Sequence, residues 1–426
     1  MPASAFALAL VLALSIVLCG AVQAQTFTVL HSFTGGADGA RPAAGLTLDA
    51  GGNLYGTASE GSYTGGYCYG LHGCGTVFRL KPGGGGWTLS TLYTFHGNDG
   101  AGPNARVIFG PDGTLYGTTS VGGTGSCYYD ACGTVFNLRP AATICKSVLC
   151  PWTETVLWNF MNYLDGNYPG LGDLIFDAAG HVYGTTSEGG EYSNGTVFEL
   201  EKLPDGDWSQ TILYNFTQIS GQGATPEAGV IFDSEGNMYT PTVGGGFGGD
   251  RCGDVVQLVN SPSGWTENVL YTFTCSPGGQ GPAGGVFFDP AGNLVGATAE
   301  GGGDDSGIVY DLSPSNGSWA YNILYDSFSG GAGPSGTLTM DSAGNLYGTT
   351  YQAGNYGYGS VFKLTPSDGS WTYTSLHDFT GGSDGANPVG NVIFDGNGNM
   401  YGTASAGGAF SNCDNGPCGV VWEITP

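Results

Sequence analysis

A nine-residue segment of the type D-x-x-G-N-L-Y-G-T recurs along the chain and constrains its fold more than any other feature. The tyrosine position of this segment falls at seven places: Tyr55, Tyr116, Tyr183, Tyr239, Val295, Tyr347 and Tyr401. A repeated period indicates an array in which each structural unit packs against its neighbours. The sequence therefore predicts a single domain over residues 25–426, built from seven similar units.

Each unit contains four short runs with β-strand character, named a to d in chain order. Run a has the pattern W-T-x-x-x-L-Y-x-F, and run b is a short apolar stretch such as Val107-Ile108-Phe109. Run c is N-L-Y-G-T, and run d is G-T-V-F-x-L. Turn residues separate the runs and no helical periodicity is present, which indicates an all-β protein. Seven such units predict a seven-bladed β-propeller of four-stranded antiparallel blades.

The composition of the runs predicts their order within a blade. Run b lacks polar alternation, so we expect it to be the innermost strand, covered on both faces. Run a mixes polar and aromatic residues, so we expect it at the outer edge. Because the chain has a lone run a at residues 26–33 and ends after a run d at 419–424, we expect the first strand to complete the last blade and close the ring.

Residues 1–24 have the pattern of a signal peptide. An apolar stretch over residues 5–22 precedes Val22-Gln23-Ala24, which suits cleavage after Ala24, although the segment has no Lys or Arg. A lipid anchor at Cys19 is the alternative, but Leu18 does not fit a lipid-attachment motif. No later run reaches the 18 apolar residues that a membrane span requires. We therefore expect an extracellular or periplasmic protein without a membrane span.

The cysteines support an oxidising compartment. Ten remain after Cys19 is set aside, and they fall in local pairs on glycine-rich loops, which indicates disulfides. Zinc binding is the alternative, but the sequence has no C-x-x-C motif. The expected disulfides join Cys68 with Cys74, Cys127 with Cys132, Cys145 with Cys150, Cys252 with Cys275, and Cys413 with Cys418.

The charge balance restricts the class of partner. The chain has 9 Lys+Arg against 35 Asp+Glu, a formal net charge of −26. Phosphate recognition needs clustered cations, so we expect no nucleic-acid partner. We expect a monomer.

The repeated motifs D-x-x-G-N-L-Y-G-T-T, G-T-V-F-x-L and L-Y-x-F resemble the choice-of-anchor tandem repeat family, also called GloVer repeats, of secreted bacterial proteins. The resemblance extends over residues 26–426, with departures at Tyr239-Thr240-Pro241-Thr242 and Val295-Gly296-Ala297-Thr298. The family is marked by C-terminal anchoring tails. No such tail follows Thr425-Pro426, so we expect a released protein. The resemblance implies no activity and no catalytic residues.

Antiparallel alternation places the a–b and c–d connections on one rim of the ring, which we call the loop-rich rim. These connections are long and variable, and binding residues usually lie on variable loops held by a rigid scaffold. Near the axis this rim carries four aspartates in Asp-Gly steps: Asp38, Asp99, Asp165 and Asp384. At the entrances of the inner strands lie Arg106, Asp173, Thr337 and Asn391.

Two interpretations of the four aspartates stay open. Asp-Gly is turn chemistry, in which the carboxylate bonds the backbone ahead of it. Alternatively the carboxylates form a ring that binds a divalent cation such as calcium, with Glu60, Glu188 and Glu300 in support. The same choice applies to Asp49, Asp177, Asp233, Asp289, Asp341 and Asp395 of the b–c connections, which we assign to turns. No other cofactor is expected.

Aromatic residues of the c–d loops are the other resource for binding. They either stack on sugars or peptides, or pin glycine-rich loops onto the blades. The candidate ligand-binding rings are Tyr67, Tyr129, Tyr192 and Tyr358. We assign the repeated tryptophan of run a and tyrosine of run c to packing between blades.

Three functions follow as hypotheses. The first is an extracellular binding module for a glycan, peptide or surface partner, acting through the loop-rich rim. The second is a metal-dependent lyase or lactonase-like hydrolase with an axial carboxylate site, by analogy with other propellers. The third is a structural matrix protein. The sequence favours a protein that is not an enzyme.

Overall fold

The structure is a computed structural model of the chain. It describes residues 25–63, 65, 68, 71–127, 132–140, 152–217, 222–245, 252–282, 284–328, 333–410, 413 and 418–426. The expected signal peptide, the cysteines Cys145 and Cys150, and the rings of Tyr67 and Tyr129 lie outside these residues.

Seven four-stranded antiparallel sheets form a ring, so the predicted seven-bladed propeller is confirmed. Each blade runs from an inner strand (run b) through runs c and d to an outer strand (run a). Blades 1 to 3 comprise Thr47–Leu48, Leu54–Ala58, Thr76–Gly83 and Gly86–Thr94; Ile108–Phe109, Leu115–Thr119, Thr134–Arg139 and Thr153–Asn159; and Ile175–Phe176, Val182–Thr186, Thr196–Lys202 and Trp208–Asn215.

Blades 4 to 6 follow the same order. They comprise Ile231–Phe232, Met238–Thr242, Asp254–Ser261 and Gly264–Thr272; Phe287–Phe288, Leu294–Glu300, Ile308–Ser315 and Ser318–Tyr325; and Thr339–Met340, Leu346–Thr350, Ser360–Ser367 and Ser370–Asp378. Blade 5 has an additional inner segment, Gln280–Pro282, and Gly223–Ala224 pairs with Gly244–Gly245 as a small separate ladder.

Blade 7 joins the two ends of the described chain. Its strands are Ala386–Phe394, Met400–Ala406, Val420–Thr425 and, at the outer edge, Thr26–Ser32. The first and last strands pair antiparallel, with Thr26 opposite Thr425 and Ser32 opposite Val420. The predicted closure of the ring by the N-terminal strand is confirmed.

Burial differs between the inner and second strands. The inner strands occupy the predicted position, but their paired residues, such as Ile108 and Phe109, are only half-buried. Full burial belongs instead to the second strand, as in Leu54–Ala58 and Leu346–Thr350. The reason is geometric: the inner strand faces the axis and has a neighbouring strand on one edge only, whereas the second strand lies between two strands and two blades.

Among the described residues, seven buried hydrophobic clusters hold the blades together, and each contains residues of two consecutive blades. The ring of Tyr55 in blade 1 meets Phe109 of blade 2 edge to face at 5.2 Å, and Tyr116 meets Phe176 of blade 3 in the same way. Trp87 packs on Tyr401 across the closure between blades 1 and 7. The repeated tyrosine and tryptophan therefore act in blade packing, as predicted.

The b–c turns are fixed by their aspartates. In blade 6, Asp341 accepts hydrogen bonds from the backbone N–H groups of Ala343 and Asn345 and from the Tyr347 hydroxyl. Burial acts to raise the pKa of Asp341, but the bonds from Asn345 and Tyr347 outweigh it and hold the pKa below its usual range. Asp49, Asp177, Asp233, Asp289 and Asp395 each accept two such turn N–H bonds, which confirms the turn assignment.

Candidate functional site

The a–b and c–d connections share one rim, as predicted, because backbone bridges join each a–b loop to the start of the c–d loop of the following blade. Ala40 bridges Glu60, Ala101 bridges Val121, and Asn167 bridges Glu188. These bridges bring both sets of variable loops onto one surface.

The loop-rich rim is also covalently tied. Four of the five predicted disulfides are present, all on this rim: Cys68–Cys74, Cys127–Cys132, Cys252–Cys275 and Cys413–Cys418. The fifth predicted disulfide, between Cys145 and Cys150, is not confirmed, because neither Cys145 nor Cys150 belongs to the described residues. The pairing of Cys150 with Cys145 stays a prediction.

A repeated proline locks each a–b loop to the preceding blade. A Cβ built on Gly75, the first residue of run d in blade 1, would lie 2.7 Å from Cδ of Pro103, so the two residues are in tight contact. The same pairing of a run-d glycine with the proline of the next blade occurs all round the ring. These prolines are Pro42, Pro103, Pro169, Pro226, Pro282, Pro334 and Pro388. The contact fixes where every a–b loop turns toward the axis.

The residue before this proline often has the left-handed backbone conformation. Arg41 has φ 53°, Tyr168 has φ 56° and Asn387 has φ 53°, values that are uncommon outside glycine. The Arg41 backbone N–H donates to the Cys418 carbonyl of blade 7 at 2.8 Å. The disulfide loop of blade 7 therefore positions a charged residue of blade 1.

Serines that follow run c hold these turns from the other side. The hydroxyls of Ser59, Ser120 and Ser405 donate to the carbonyls of Arg41, Gly102 and Asn387 at 3.1, 2.8 and 2.9 Å. A hydroxyl that donates a hydrogen bond to a carbonyl can still accept one through its oxygen. The loop geometry thus orients one hydroxyl oxygen on each of the three consecutive blades 7, 1 and 2.

These residues surround an axial cavity of about 450 Å³ on the loop-rich rim. Its wall comes from blades 1, 2, 3, 6 and 7. The polar and aromatic lining residues are Arg41, Ser59, Glu60, Asn104, Ser120, Tyr168, Tyr351 and Ser405, with Ala43, Leu71, Val121 and Val389 between them. The volume falls in the range of small-molecule sites.

The charged groups of the wall are paired. Arg41 Nη1 donates to Glu60 Oε1 at 2.7 Å, and the Arg41 side chain is 45% exposed, so the pair faces the cavity mouth. Asn104 donates its amide Nδ2–H to the Ser120 hydroxyl at 2.9 Å. The wall therefore has fixed polar groups beside two tyrosine rings.

The predicted aspartates serve their own loops. Asp38 accepts from the Thr34 backbone N–H and His31 Nε2, both at 3.0 Å, and Asp384 accepts in the same way from Thr380 and His377. Burial acts to raise the pKa of Asp38, but the bonds from His31 and Thr34 hold it below its usual value. The other two close their loops likewise, and none of the four lines the axial cavity.

The negative charge of Asp99 also acts on a carboxyl group of the next blade. Glu154, on the outer strand of blade 2, has a buried Oε1 without a hydrogen-bond partner in the described part of the chain. Burial, and then the negative charge of Asp99, raises the pKa of Glu154 to about 8. This pair lies between two blades, away from the cavity lining.

The predicted residues at the inner-strand entrances lie beside the wall. Arg106 Nε and Nη2 contact the Asp173 carboxylate at 2.9 and 2.8 Å, an ion pair that joins blades 2 and 3. A Cβ on Gly45 of blade 1 would collide with the Asn391 side chain of blade 7, so Asn391 fills the space that this glycine leaves. These residues join neighbouring blades next to the wall and do not line the cavity.

Of the predicted aromatic residues, the two that the structure describes also lie outside the cavity lining. Tyr192 and Tyr358 are exposed, at 49% and 46%, but lie outside the cavity lining, and the Tyr358 ring covers Gly381. The rings that do line it, Tyr168 and Tyr351, were not predicted. The signal that could have located Tyr168 is the repeated proline, because the residue before each proline turns toward the axis.

The described residues contain neither a cluster of metal-ligating side chains nor a helix that could span a membrane. No group of three His, Cys, Asp or Glu side chains there is arranged to hold a metal ion. Nor does that part of the chain contain a helix with the length and apolar character of a membrane span.

Solved structures with the same fold include two proteins of low sequence similarity. A polysaccharide lyase described as an ulvan lyase is 10% identical, with a TM-score of 0.56, covering 93% of this chain and 95% of its own. A Bacteroides uniformis protein, provisionally assigned as a 6-phosphogluconolactonase, is 12% identical with a TM-score of 0.50, covering 79% and 84%. At these identities the likeness shows the fold alone.

No curated protein matches the chain. The Gloeobacter/Verrucomicrobia repeat family matches it three times, over residues 21–153, 133–330 and 231–426. Together these matches span all seven blades. The chain belongs to the Gloeobacter/Verrucomicrobia repeat family.

Proposed function

We propose that this protein is an extracellular binding module that takes a glycan into the axial cavity of its loop-rich rim. The observation that carries the proposal is the cavity itself: about 450 Å³, where loops of five blades converge, with two tyrosines beside fixed polar groups. Sugars bind such sites because their apolar faces stack on rings while their edges form hydrogen bonds.

The distribution of exposed apolar side chains supports a binding role for this rim. Ten large hydrophobic side chains are exposed in the described part of the chain, and Ile323 alone among them lies outside the rim. The other nine are Tyr63, Met161, Leu164, Leu171, Tyr192, Tyr351, Tyr356, Tyr358 and Phe410. Apolar groups concentrated on one face mark a surface that meets a partner. An extended glycan could contact several of them beyond the cavity.

The cavity chemistry favours binding over catalysis. The three lining serines donate their protons to backbone carbonyls, so no side-chain base activates them as nucleophiles. The Arg41 and Glu60 side chains neutralise each other. These arrangements hold the serine hydroxyls and the Arg41–Glu60 pair in fixed positions that suit the orientation of a ligand.

An extracellular or periplasmic location is part of the proposal. Disulfides form and persist in oxidising compartments, and four are present on the rim that would meet the ligand. The apolar segment before residue 25 would direct the export.

Titration calorimetry against a panel of neutral and acidic oligosaccharides tests the function. We expect Tyr168→Ala and Tyr351→Ala to weaken binding of a panel member at least tenfold. Tyr192→Ala and Tyr358→Ala are matched controls, because they remove exposed rings of the same rim outside the cavity, and we expect less than a twofold change. Equal losses in all four variants would contradict the axial site, and a panel without any binder would contradict the function.

Two further measurements address the rival functions. Turnover of the same oligosaccharides, followed by product analysis, would establish the lyase or hydrolase alternative. Melting temperatures with calcium and with EDTA test the carboxylate ring. A calcium-dependent rise in melting temperature that is lost in Asp38→Asn and Asp384→Asn would establish that site.

A further inference from the structure

We infer that the ligand is a neutral, hydroxyl-rich glycan rather than an acidic polysaccharide. This inference rests on the proposed function and concerns the same cavity. It follows from which hydrogen-bonding groups of the wall have already used their protons.

The serines of the wall present acceptors. Ser59, Ser120 and Ser405 each donate to a backbone carbonyl, and a carbonyl oxygen can only accept, so the direction of these three bonds is fixed. A hydroxyl carries one proton and two lone pairs. With the proton engaged, each hydroxyl can bind a ligand solely by accepting, and Ser120 has one lone pair left because it already accepts from Asn104 Nδ2 at 2.9 Å.

The charged pair adds no net attraction for anions. Arg41 is the one cation among the described residues of the wall, and its guanidinium is bonded to the Glu60 carboxylate at 2.7 Å. The chain as a whole carries a formal net charge of −26, which repels a polyanion at long range. The negative charge of the protein would repel a uronate or sulfate group. The positive charge of Arg41, which could attract such a group, is already neutralised by Glu60.

Ligand chemistry separates the two glycan classes in this wall. Carboxylate and sulfate groups accept hydrogen bonds and have none to donate, so opposite the serine oxygens they would bring lone pairs together. Each such mismatch leaves buried polar atoms without partners, which weakens binding strongly. Sugar hydroxyls can donate to the serines and Glu60 while the pyranose face stacks on Tyr168 or Tyr351.

The test is calorimetry of the protein lacking residues 1–24 against two sets of oligosaccharides of equal length. The neutral set contains oligomers of glucose, xylose, mannose and galactose. The acidic set contains oligogalacturonides, measured as free acids and as carboxyl methyl esters. We expect at least tenfold tighter binding of a neutral oligomer than of any free acid, with affinity unchanged between 50 and 500 mM salt. Methylation should raise the affinity of the acidic set.

The wall variant that tests the mechanism is Ser405→Ala, which removes one acceptor. We expect Ser405→Ala to lower the affinity for the neutral oligomer about fivefold or more. Ser367→Ala, on the opposite rim, should leave this affinity unchanged. Melting curves of both variants separate loss of binding from loss of folding.

The outcomes distinguish this inference from the proposed function. Binding confined to the free acids, or affinity that falls steeply with salt, would overturn the inference and leave the glycan-binding function standing. Tighter binding of oligolysine than of any sugar would overturn both, since the acceptors would then serve a cationic ligand. If neither the neutral set nor the acidic set binds, the proposed function itself is overturned.

Discussion

Thr240 and Val256 lie directly opposite each other on the second and third strands of blade 4. In the corresponding pair of blade 1 the partners are Gly56 and Phe78, and a Cβ on that glycine would lie 2.6 Å from the phenylalanine ring. Blade 7 keeps the glycine and places a larger ring opposite it, with Gly402 opposite Trp422. The irregular repeat of blade 4 therefore conserves the volume of the pair while changing both residues.

This complementarity predicts a compensated double mutant. Val256→Phe alone should destabilise the protein by about 1–3 kcal/mol, because the ring enters the space of the Thr240 side chain. Adding Thr240→Gly should recover at least about 1 kcal/mol, within the range of coupling between contacting residues. Urea unfolding of the two single variants and the double variant measures the coupling. Strictly additive effects would show that the pair is not coupled.

The glycine–proline contact between blades predicts unequal effects of glycine substitution. Gly75 has φ 84° and its added Cβ would contact Pro103, whereas Gly113 has φ 73° with nothing within 4 Å. Gly113→Ala should cost about 1–2 kcal/mol, the penalty of a left-handed alanine. Gly75→Ala should cost about 2 kcal/mol more, because the Cβ would also clash with the Ala58 carbonyl of the same blade and with Pro103 of the next blade. Equal denaturation midpoints for the two variants would contradict this role of the contact.

Glu154 predicts a stability that declines toward alkaline pH. The pKa of Glu154 is raised in the folded state to about 8. Its contribution to the free energy of unfolding is therefore present in full below the ordinary glutamate pKa, declines above that pKa, and is lost as the pH rises through 8. Glu154→Gln keeps the shape without the charge, so the variant should melt higher than the natural protein at pH 8 and equally at pH 4. Glu201→Gln, at an exposed position of blade 3, is the control. A wild-type melting temperature that is flat between pH 5 and pH 9 would rule the effect out.

The disulfides predict a stability ranking set by loop length. In the chain-entropy account, removing Cys252–Cys275, which spans 23 residues, costs about 3.4 kcal/mol, and removing Cys413–Cys418, which spans 5, costs about 2 kcal/mol. Paired serine variants and thermal unfolding measure both. The Cys418 carbonyl accepts a hydrogen bond from the Arg41 backbone N–H. Replacing Cys413 and Cys418 by serine should therefore also weaken glycan binding, whereas replacing Cys252 and Cys275 should not.

The fold was predictable from the sequence because the repeat fixes the number of blades, and the lone run a at residues 26–33 fixes how the ring closes. The cysteine pairs that fall on the described residues were predictable because their cysteines are close in sequence: three pairs lie within one c–d loop each, and Cys252–Cys275 joins two neighbouring loops. The axial cavity was not. Tyr168 and Tyr351 occupy different positions of different repeats and meet only because the ring brings blades 3 and 6 to one axis. Asp38 and Asp384 resemble ligands in sequence, and their engagement by His31 and His377 depends on contacts that no spacing reveals.

The pairing of Thr26–Ser32 with Val420–Thr425 joins two segments that lie far apart in the sequence. The strand that a ribosome makes first in this domain has no partner until almost four hundred further residues have been synthesised. Six blades are built from neighbouring segments, but blade 7 cannot be completed until Val420–Thr425 has been synthesised. Until then an unpaired edge persists, and a truncated chain would keep it permanently.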